Sequence, residues 1–173
     1  RNCPRPVLCS LLFALACITV GVHGQTGTTN GEWRTYGGDL GSTRYVPHDQ
    51  INAENFGKLR VAWRFKTDVF GLRPDYNLQT TPLMINGVLY ATAGSRRDAV
   101  AIDAATGELL WMYRIDEGKR AAAAARQLSG RGVAYWTDGK ADERIYMVTI
   151  GYQLVALDAK TGIPVRGFGQ NGI

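Results

Sequence analysis

The chain contains the phrase Ala101-Ile-Asp-Ala-Ala-Thr-Gly107 and, further on, the closely similar phrase Ala156-Leu-Asp-Ala-Lys-Thr-Gly162. Each phrase begins in a short apolar run that is typical of a buried strand. The Asp side chain can accept hydrogen bonds from its own turn, and the closing Gly can adopt a positive φ. One copy would be an ordinary hairpin turn, but two copies with matching flanks predict a repeated structural unit.

Aromatic residues extend the repeat in both directions. Trp63 in Ala62-Trp-Arg-Phe65 and Trp111 in Leu110-Trp-Met-Tyr113 lie 48 residues apart, and Arg166-Gly-Phe168 begins 55 residues after Trp111. The period is therefore about fifty residues, with insertions. A Trp at a fixed place in each unit would pack as a wedge between neighbouring units.

Short β-branched or aromatic runs bounded by turn residues predict several strands in each unit, and no long amphipathic helix competes with them. We expect an all-β fold, a β-propeller of which residues 25–173 hold the first two to three blades, so the chain reads as an N-terminal fragment that is inactive by itself. The predicted strands are Val61–Thr67, Val88–Ala93, Ala99–Ile102, Leu109–Arg114, Ile145–Thr149 and Leu154–Leu157. Two loops interrupt them, Thr67–Gln79 and Asp116–Arg131, the second with an alanine run in which some helix could form.

Residues 1–24 have the pattern of a secretory signal peptide. Arg1 and Arg5 precede an apolar run over residues 7–20, and Val22-His-Gly24 supplies small residues for cleavage near Gly24. The run is short for a membrane span. We expect a periplasmic or otherwise extracytoplasmic protein, with lipid attachment at Cys17 as the alternative to soluble export.

The charges and the cysteines exclude several classes of function. All three cysteines lie in the leader, so residues 25–173 offer no disulfide and no thiolate metal site. Without Arg1 and Arg5 the formal net charge falls from +5 to +3, and the remaining basic residues are scattered among acids. A nucleic-acid partner is not expected. The pairs Arg96-Arg97 and Lys119-Arg120 are interpreted as solvated loop charges.

A metal site is not expected within this chain. Asp39, Asp98 and Asp138 lack the spacing of a calcium loop and are interpreted as turn-forming residues. His23 belongs to the leader, and His48 follows Pro47 in a predicted loop.

The order Trp33-Arg-Thr-Tyr-Gly-Gly-Asp-Leu-Gly-Ser-Thr-Arg-Tyr45, Gln50-Ile-Asn52, Leu59-x-x-Ala-Trp63 resembles the opening of the quinoprotein dehydrogenases that use pyrroloquinoline quinone (PQQ). The two Asp-x-x-Thr-Gly phrases resemble the tryptophan-docking repeats of that family. The resemblance implies an eight-bladed propeller in the full-length protein, with the cofactor near its central axis beside a calcium ion. It also implies a catalytic aspartate and calcium ligands that lie mostly beyond this chain.

Three segments resemble the branch of that family with the membrane-bound glucose and polyol dehydrogenases. They are residues 126–136, residues 144–149 and Phe168-Gly-Gln-Asn-Gly172. The chain departs from that branch because residues 93–98 contain no histidine and residues 1–32 contain no run of membrane-spanning helices. It also lacks the adjacent cysteine pair of the soluble alcohol dehydrogenases.

The resemblance assigns cofactor contacts to Gln79, Arg131 and Thr149. A guanidinium can bind the carboxylates and quinone oxygens of PQQ, an amide can donate and accept at once, and a hydroxyl can hydrogen-bond the ligand. The structural alternatives are a surface arginine in a Gly-Arg-Gly turn, a glutamine that bonds its own loop, and an ordinary strand threonine. Trp136 is expected in the core, with a stacking surface as the alternative.

The implied function is oxidation of a small alcohol, polyol or sugar outside the cytoplasm. Electrons would pass to a respiratory quinone or cytochrome. Peripheral association of this protein with the membrane is compatible with such an acceptor. The competing interpretation is a non-catalytic propeller of the same repeat family that serves as a scaffold or assembly factor. A scaffold has no reason to keep Gln79, Arg131 and Thr149 together.

Overall fold

The computed structural model describes residues 28–68, 70–71, 78–127 and 132–173. The predicted leader with its cysteines and Arg131 lie outside these residues. The described part of the chain contains strands β1 to β7, a 3-10 turn at Phe56–Lys58 and a single helical turn, α1, at Lys119–Ala122. The strands are β1 Leu83–Ile85, β2 Val88–Ala93, β3 Asp98–Asp103, β4 Leu109–Tyr113, β5 Ala134–Thr137, β6 Glu143–Val148 and β7 Leu154–Asp158.

The strands form two antiparallel sheets, each ordered as in the sequence. Strands β1 to β4 make the first sheet and strands β5 to β7 the second. In the second sheet, Pro164 bridges to Leu157 on β7 at the position that β4 takes in the first. The prediction of repeated all-β units is therefore confirmed, and each sheet is one blade.

Two details of the strand prediction are wrong. Residues 61–67 form no strand, because no other described segment runs beside them as a ladder partner. Strands β1 and β5 were missed because each is short, three or four residues long, and follows a loop. Strand β1 pairs with β2 and is bridged by Trp33 at Met84 on its other edge, and β5 pairs with β6.

The two sheets pack face to face through an apolar core. Leu83, Tyr90 and Ala101 of the first sheet meet Ile145 and Leu157 of the second, and all five are at most 5 % exposed. Along β6 the buried side chains alternate with less buried ones, whereas β7 is buried at three consecutive positions, 155–157. Removal of this apolar surface from water is the main force that holds one blade against the other.

The two Asp-x-x-Thr-Gly turns have nearly the same geometry. The Asp103 carboxylate accepts hydrogen bonds from the Thr106 amide at 2.8 Å and the Thr106 hydroxyl at 2.9 Å. Asp158 binds Thr161 in the same way, with both distances at 2.8 Å. The amide of Gly107 donates to the Asp103 carbonyl at 2.8 Å, and Gly107 has a φ of +77°. The roles predicted for Asp and Gly are confirmed.

Each turn also holds a tryptophan. The Trp63 indole donates to the carbonyl of Ala104 at 3.1 Å, and the Trp111 indole donates to the carbonyl of Ala159 at 2.9 Å. Trp111 lies on β4 of the first sheet, whereas Ala159 directly follows β7 of the second. Trp111 is therefore the inter-blade wedge that the repeat predicted.

The connection between the sheets is mostly irregular. The alanine run contributes only the helical turn α1. No helix in the described ranges is long and apolar enough to cross a membrane.

Candidate functional site at the non-repeating end of the blades

Two of the residues predicted to contact a cofactor, Gln79 and Thr149, lie at the end of the sheets opposite the two Asp turns. Gln79 leads into β1, and Thr149 directly follows β6. Because the strands are antiparallel, the start of β1, the end of β2 and the start of β3 lie at the same end of the first sheet. The start of β5 and the end of β6 lie together at one end of the second sheet. A hydrogen bond from Arg97 in the β2–β3 turn to the Thr149 carbonyl shows that these two ends are adjacent.

The segment before β1 carries polar groups that the described residues leave open. The Gln79 side chain is exposed and makes no hydrogen bond to the described residues. The hydroxyl of the adjacent Thr80 is buried and has no partner among those residues. Thr80 lines an apolar pocket together with Trp63 and Phe65, so the polar group that this segment offers is the Gln79 amide.

Arg131 lies outside the described residues, but its neighbour Gly132 lies close to the segment that contains Gln79. A Cβ on Gly132 would lie 3.9 Å from the carbonyl oxygen of Thr81, two residues after Gln79. The segments that lead into β1 and β5 are therefore adjacent. No contact is assigned to Arg131 itself, and its role stays a prediction.

Thr149 is buried, 1 % exposed, and its hydroxyl is engaged on two sides. It donates to the Glu117 carboxylate at 2.7 Å and accepts from the Gln153 amide at 3.0 Å. A hydroxyl offers one hydrogen and two lone pairs, so one lone pair remains for a further contact. Thr149 is therefore neither an ordinary strand residue nor a wholly free donor.

Two charged residues near Thr149 are buried, against the prediction. Arg97 was expected to be solvated but is 2 % exposed, because its guanidinium donates to main-chain carbonyls. Asp98 was expected to form a turn but opens β3 at 1 % exposure and accepts two hydrogen bonds from Arg114, at 2.9 Å and 2.6 Å. This bond raises the pKa of the Arg114 guanidinium, so Arg114 stays charged and neutralises the buried carboxylate.

The aspartates at the turns and the remaining aromatic candidate have structural explanations. Asp39 accepts from the Thr43 amide and Asp138 from the Lys140 amide, so both form turns as predicted. Trp136 is 44 % exposed instead of lying in the core, and the Arg144 guanidinium lies 5.2 Å from the centre of its ring. Among the described residues no three His, Cys, Asp or Glu side chains form a metal-binding group.

The sequence pattern did not indicate Glu117, whose carboxylate contacts Thr149 at this end of the blades. Glu117 lies in the irregular segment before α1, yet its two carboxylate oxygens accept from the Thr149 hydroxyl and the Gly151 amide, both at 2.7 Å. Burial, followed by the effect of this carboxylate, raises the pKa of the Tyr113 phenol at the end of β4. Nothing in the pattern around Glu117 distinguishes it from a solvated loop residue.

The residues at this end fit a polar, flat ligand such as PQQ in their chemistry. Gln79 offers an amide that makes no hydrogen bond to the described residues, and Thr149 offers one lone pair. Sites for such cofactors supply a few placed polar groups, while the cofactor carries the redox chemistry.

Consecutive antiparallel sheets, one of four strands and one of three with a further bridge at Pro164, pack face to face with a docked tryptophan between them, and this arrangement defines a β-propeller protein. Residues 33–173 match the family model for the glucose/ethanol/alcohol dehydrogenase β-propeller domain, designated PQQ. The chain belongs to this family of PQQ-dependent dehydrogenases, which confirms the family and the fold expected from the sequence.

Relatives of two kinds are similar to this chain. The dehydrogenase subunit of a quinone alcohol dehydrogenase from Gluconobacter oxydans is 43 % identical over 139 residues, which cover 80 % of this chain and 17 % of that protein. The glycerol dehydrogenase large subunit from the same organism is 32 % identical over 152 residues, which cover 83 % of this chain and 20 % of that protein. The chain therefore spans about a fifth of the length of these relatives.

Solved structures agree with the fold. The quinohemoprotein alcohol dehydrogenase from Comamonas testosteroni superimposes with a TM-score of 0.60 at 32 % identity, over 76 % of this chain and 18 % of that chain. A quinohemoprotein alcohol dehydrogenase from Pseudomonas putida gives a TM-score of 0.63 at 35 % identity, over the same two shares. A europium-containing methanol dehydrogenase gives 0.59 at 28 % identity, over 76 % of this chain and 22 % of that chain.

Proposed function

We propose that this chain is the N-terminal part of the propeller of an extracytoplasmic PQQ-dependent dehydrogenase that oxidises an alcohol, polyol or sugar. The observation that carries the proposal is the family match over residues 33–173, together with Gln79 and Thr149 at one end of adjacent blades. The relatives named for alcohol and glycerol support a substrate with a CH–OH group.

The residues of this chain would bind and orient the cofactor. PQQ supplies the two-electron acceptor for oxidation of the alcohol carbon. Gln79 would hydrogen-bond the edge of the cofactor through its amide, which makes no hydrogen bond to the described residues, and Arg131 would pair with a carboxylate or quinone oxygen. Thr149 would contact it through the lone pair that its other bonds leave open.

Export and electron transfer complete the proposal. The pattern of residues 1–24 supports secretion with cleavage near Gly24, so the oxidation would take place outside the cytoplasm. The reduced cofactor would then pass its electrons to a respiratory quinone or cytochrome, with peripheral attachment to the membrane where that acceptor resides. Calcium beside the cofactor would be bound by residues mostly outside this chain.

The test is reconstitution of the full-length protein with PQQ and calcium. We expect stoichiometric PQQ uptake, followed by reduction of an artificial electron-acceptor dye with at least one member of a panel of primary alcohols, polyols and aldoses. Absence of both PQQ uptake and dye reduction would overturn the proposal and favour the non-catalytic scaffold. PQQ uptake with dye reduction by alcohols or glycerol, but by no sugar, would define the substrate class as alcohols and polyols.

A further inference from the structure

The loop after β6 is hydrogen-bonded by residues of the preceding blade and of the connection between the blades. This loop, residues 149–153, carries Thr149. Its backbone turns tightly, because the Thr149 amide donates to the Gln153 carbonyl at 2.9 Å and the Tyr152 amide donates to the Thr149 carbonyl at 3.1 Å. Tyr152 has a φ of +63°, a conformation that is unfavourable for a residue with a side chain. The loop therefore needs support from outside.

Glu117 supplies that support from the connection between the blades. One carboxylate oxygen accepts from the Thr149 hydroxyl and the other from the Gly151 amide, both at 2.7 Å. Hydrogen bonds to a charged group are shorter and about twice as strong as those between neutral groups. Glu117 therefore fixes both the rotation of the Thr149 hydroxyl and the path of the backbone two residues later.

Arg97 supplies the second support from the β2–β3 turn. Its guanidinium donates to the Thr149 carbonyl at 3.1 Å and to the Arg126 carbonyl at 2.5 Å. Arg97 has a φ of +54° and is almost wholly buried. A buried arginine with an unfavourable backbone conformation persists only where the surrounding structure holds it firmly. We therefore regard the hydrogen bonds of Arg97 as a fixed part of the structure at this end of the blades.

We propose that Glu117 and Arg97 are positioning residues for the cofactor site, which hold Thr149 in place from two sides. This inference rests on the proposed function. Neither side chain is assigned a contact with the cofactor. Glu117 orients the Thr149 hydroxyl, Arg97 fixes its carbonyl, and the loop is thereby prepared before a ligand arrives. Preorganisation of this kind lowers the cost of binding, since less freedom is lost on association.

The first measurement needs no cofactor. Amide hydrogen exchange of the full-length protein without PQQ is compared between the wild type and the Glu117→Ala, Glu117→Gln and Arg97→Lys variants. We expect exchange in peptides covering residues 149–153 to rise at least about tenfold in Glu117→Ala, while peptides covering β3 stay protected. Glu117→Gln keeps an acceptor for Thr149 but places an amide NH2 toward Gly151, so its effect should be smaller.

The second measurement is PQQ affinity, titrated by protein fluorescence. We expect Glu117→Ala and Arg97→Lys to weaken binding about tenfold, and Glu117→Gln by a smaller factor. Arg97→Lys keeps the charge but loses the planar fork that reaches two carbonyls, so it separates geometry from charge. Glu108→Gln is the matched control, because Glu108 is an exposed glutamate beside the turn at the opposite end of the blade.

The outcomes separate this inference from the proposed function. Unchanged exchange at residues 149–153 in Glu117→Ala would overturn the clamp. Faster exchange with unchanged PQQ affinity would overturn the positioning role and leave the clamp purely structural. A wild-type protein that takes up no PQQ would overturn the proposed function and the positioning role together, while the exchange data would still decide whether the clamp exists.

Discussion

The two ends of the blades differ in how strictly they repeat. At the turn end, Asp103 and Asp158 make the same hydrogen bonds to within 0.1 Å, and each turn receives a tryptophan indole. At the other end, the corresponding β2–β3 and β6–β7 connections differ, with a buried arginine in one and a clamped threonine in the other. The repeated geometry occurs where a tryptophan docks one blade on the next, and it is absent where the cofactor residues are predicted.

The largest expected effect is on stability, at the turn end. In Gly107→Ala the new Cβ would lie 2.6 Å from the Trp63 ring at a φ of +77°. We expect a loss of about 2–4 kcal/mol, from backbone strain and overlap together. Gly87→Ala is the control, because Gly87 has a φ of +79° with nothing within 4 Å, and it should cost only about 1–2 kcal/mol. Urea unfolding of the full-length protein measures both, and equal losses would contradict the role of the docked ring.

The opposite end should respond in affinity and hardly in stability. Gln79→Ala removes an exposed side chain that makes no hydrogen bond to the described residues, so the free energy of unfolding should change by less than about 0.5 kcal/mol. PQQ affinity should fall about tenfold, which corresponds to about 1.4 kcal/mol. Gln50→Ala, another exposed glutamine, should change neither quantity. If the two variants bind PQQ equally well, Gln79 is not a cofactor residue.

A tyrosine at the interface of the blades gives a smaller effect with a clear pH dependence. The Tyr90 hydroxyl donates to the Ala159 carbonyl at 3.1 Å, and burial raises the pKa of Tyr90 to about 12. The unfolded chain ionises near pH 10 and the folded one later, so this contribution to stability is present below pH 10 and is lost as the pH rises to 12.

Tyr90→Phe should cost about 0.5–1.5 kcal/mol at neutral pH and reduce the amplitude of the late component of the tyrosinate absorbance titration. Part of that component should remain, because the pKa values of Tyr113 and Tyr135 are also raised. Tyr45→Phe, which changes an exposed tyrosine, should leave the late amplitude unchanged. An unchanged late amplitude in Tyr90→Phe would contradict the raised pKa of Tyr90.

The smallest effect is expected at the exposed Asp turn itself. Hydrogen bonds from the Thr106 amide and then its hydroxyl lower the pKa of Asp103 below its ordinary value. The ionised carboxylate therefore stabilises the fold above that ordinary value, and the contribution disappears as the pH falls through the lowered pKa. Asp103→Asn should lower the urea midpoint slightly at pH 7, and the difference from the wild type should shrink in acid. The exposed control Asp49→Asn should show no such convergence, and a difference that persists in acid would contradict the explanation.

The sequence predicted the repeated units better than the site. The Asp-x-x-Thr-Gly turns could be foreseen because their hydrogen bonds are local, between an Asp and residues two to three positions later. Strand β2 was predicted at its observed bounds, whereas the short β1 was missed and Val61–Thr67 was predicted as a strand. A strand is defined by its partner, and neighbouring sequence alone does not reveal whether one is present.

The candidate site could be predicted only in part. The resemblance indicated Gln79 and Thr149, and the fold brings them to the same end of the blades. It gave no indication of Glu117 and Arg97, because their importance comes from contacts with Thr149 that span 32 and 52 residues of the chain. A loop sequence does not reveal whether a charged side chain is buried or solvated, so the prediction that Arg97 is solvated was wrong.

By itself, the sequence determined the repeat, the all-β class and the family, since these depend on turn chemistry and strand patterns that act over a few residues. Tertiary structure alone decided that Trp111 joins β4 to the carbonyl of Ala159, that Asp98 pairs with Arg114, and that the Thr149 hydroxyl is held by Glu117. These contacts arise only when antiparallel strands bring distant segments to a common edge, and burial then makes each polar partner necessary.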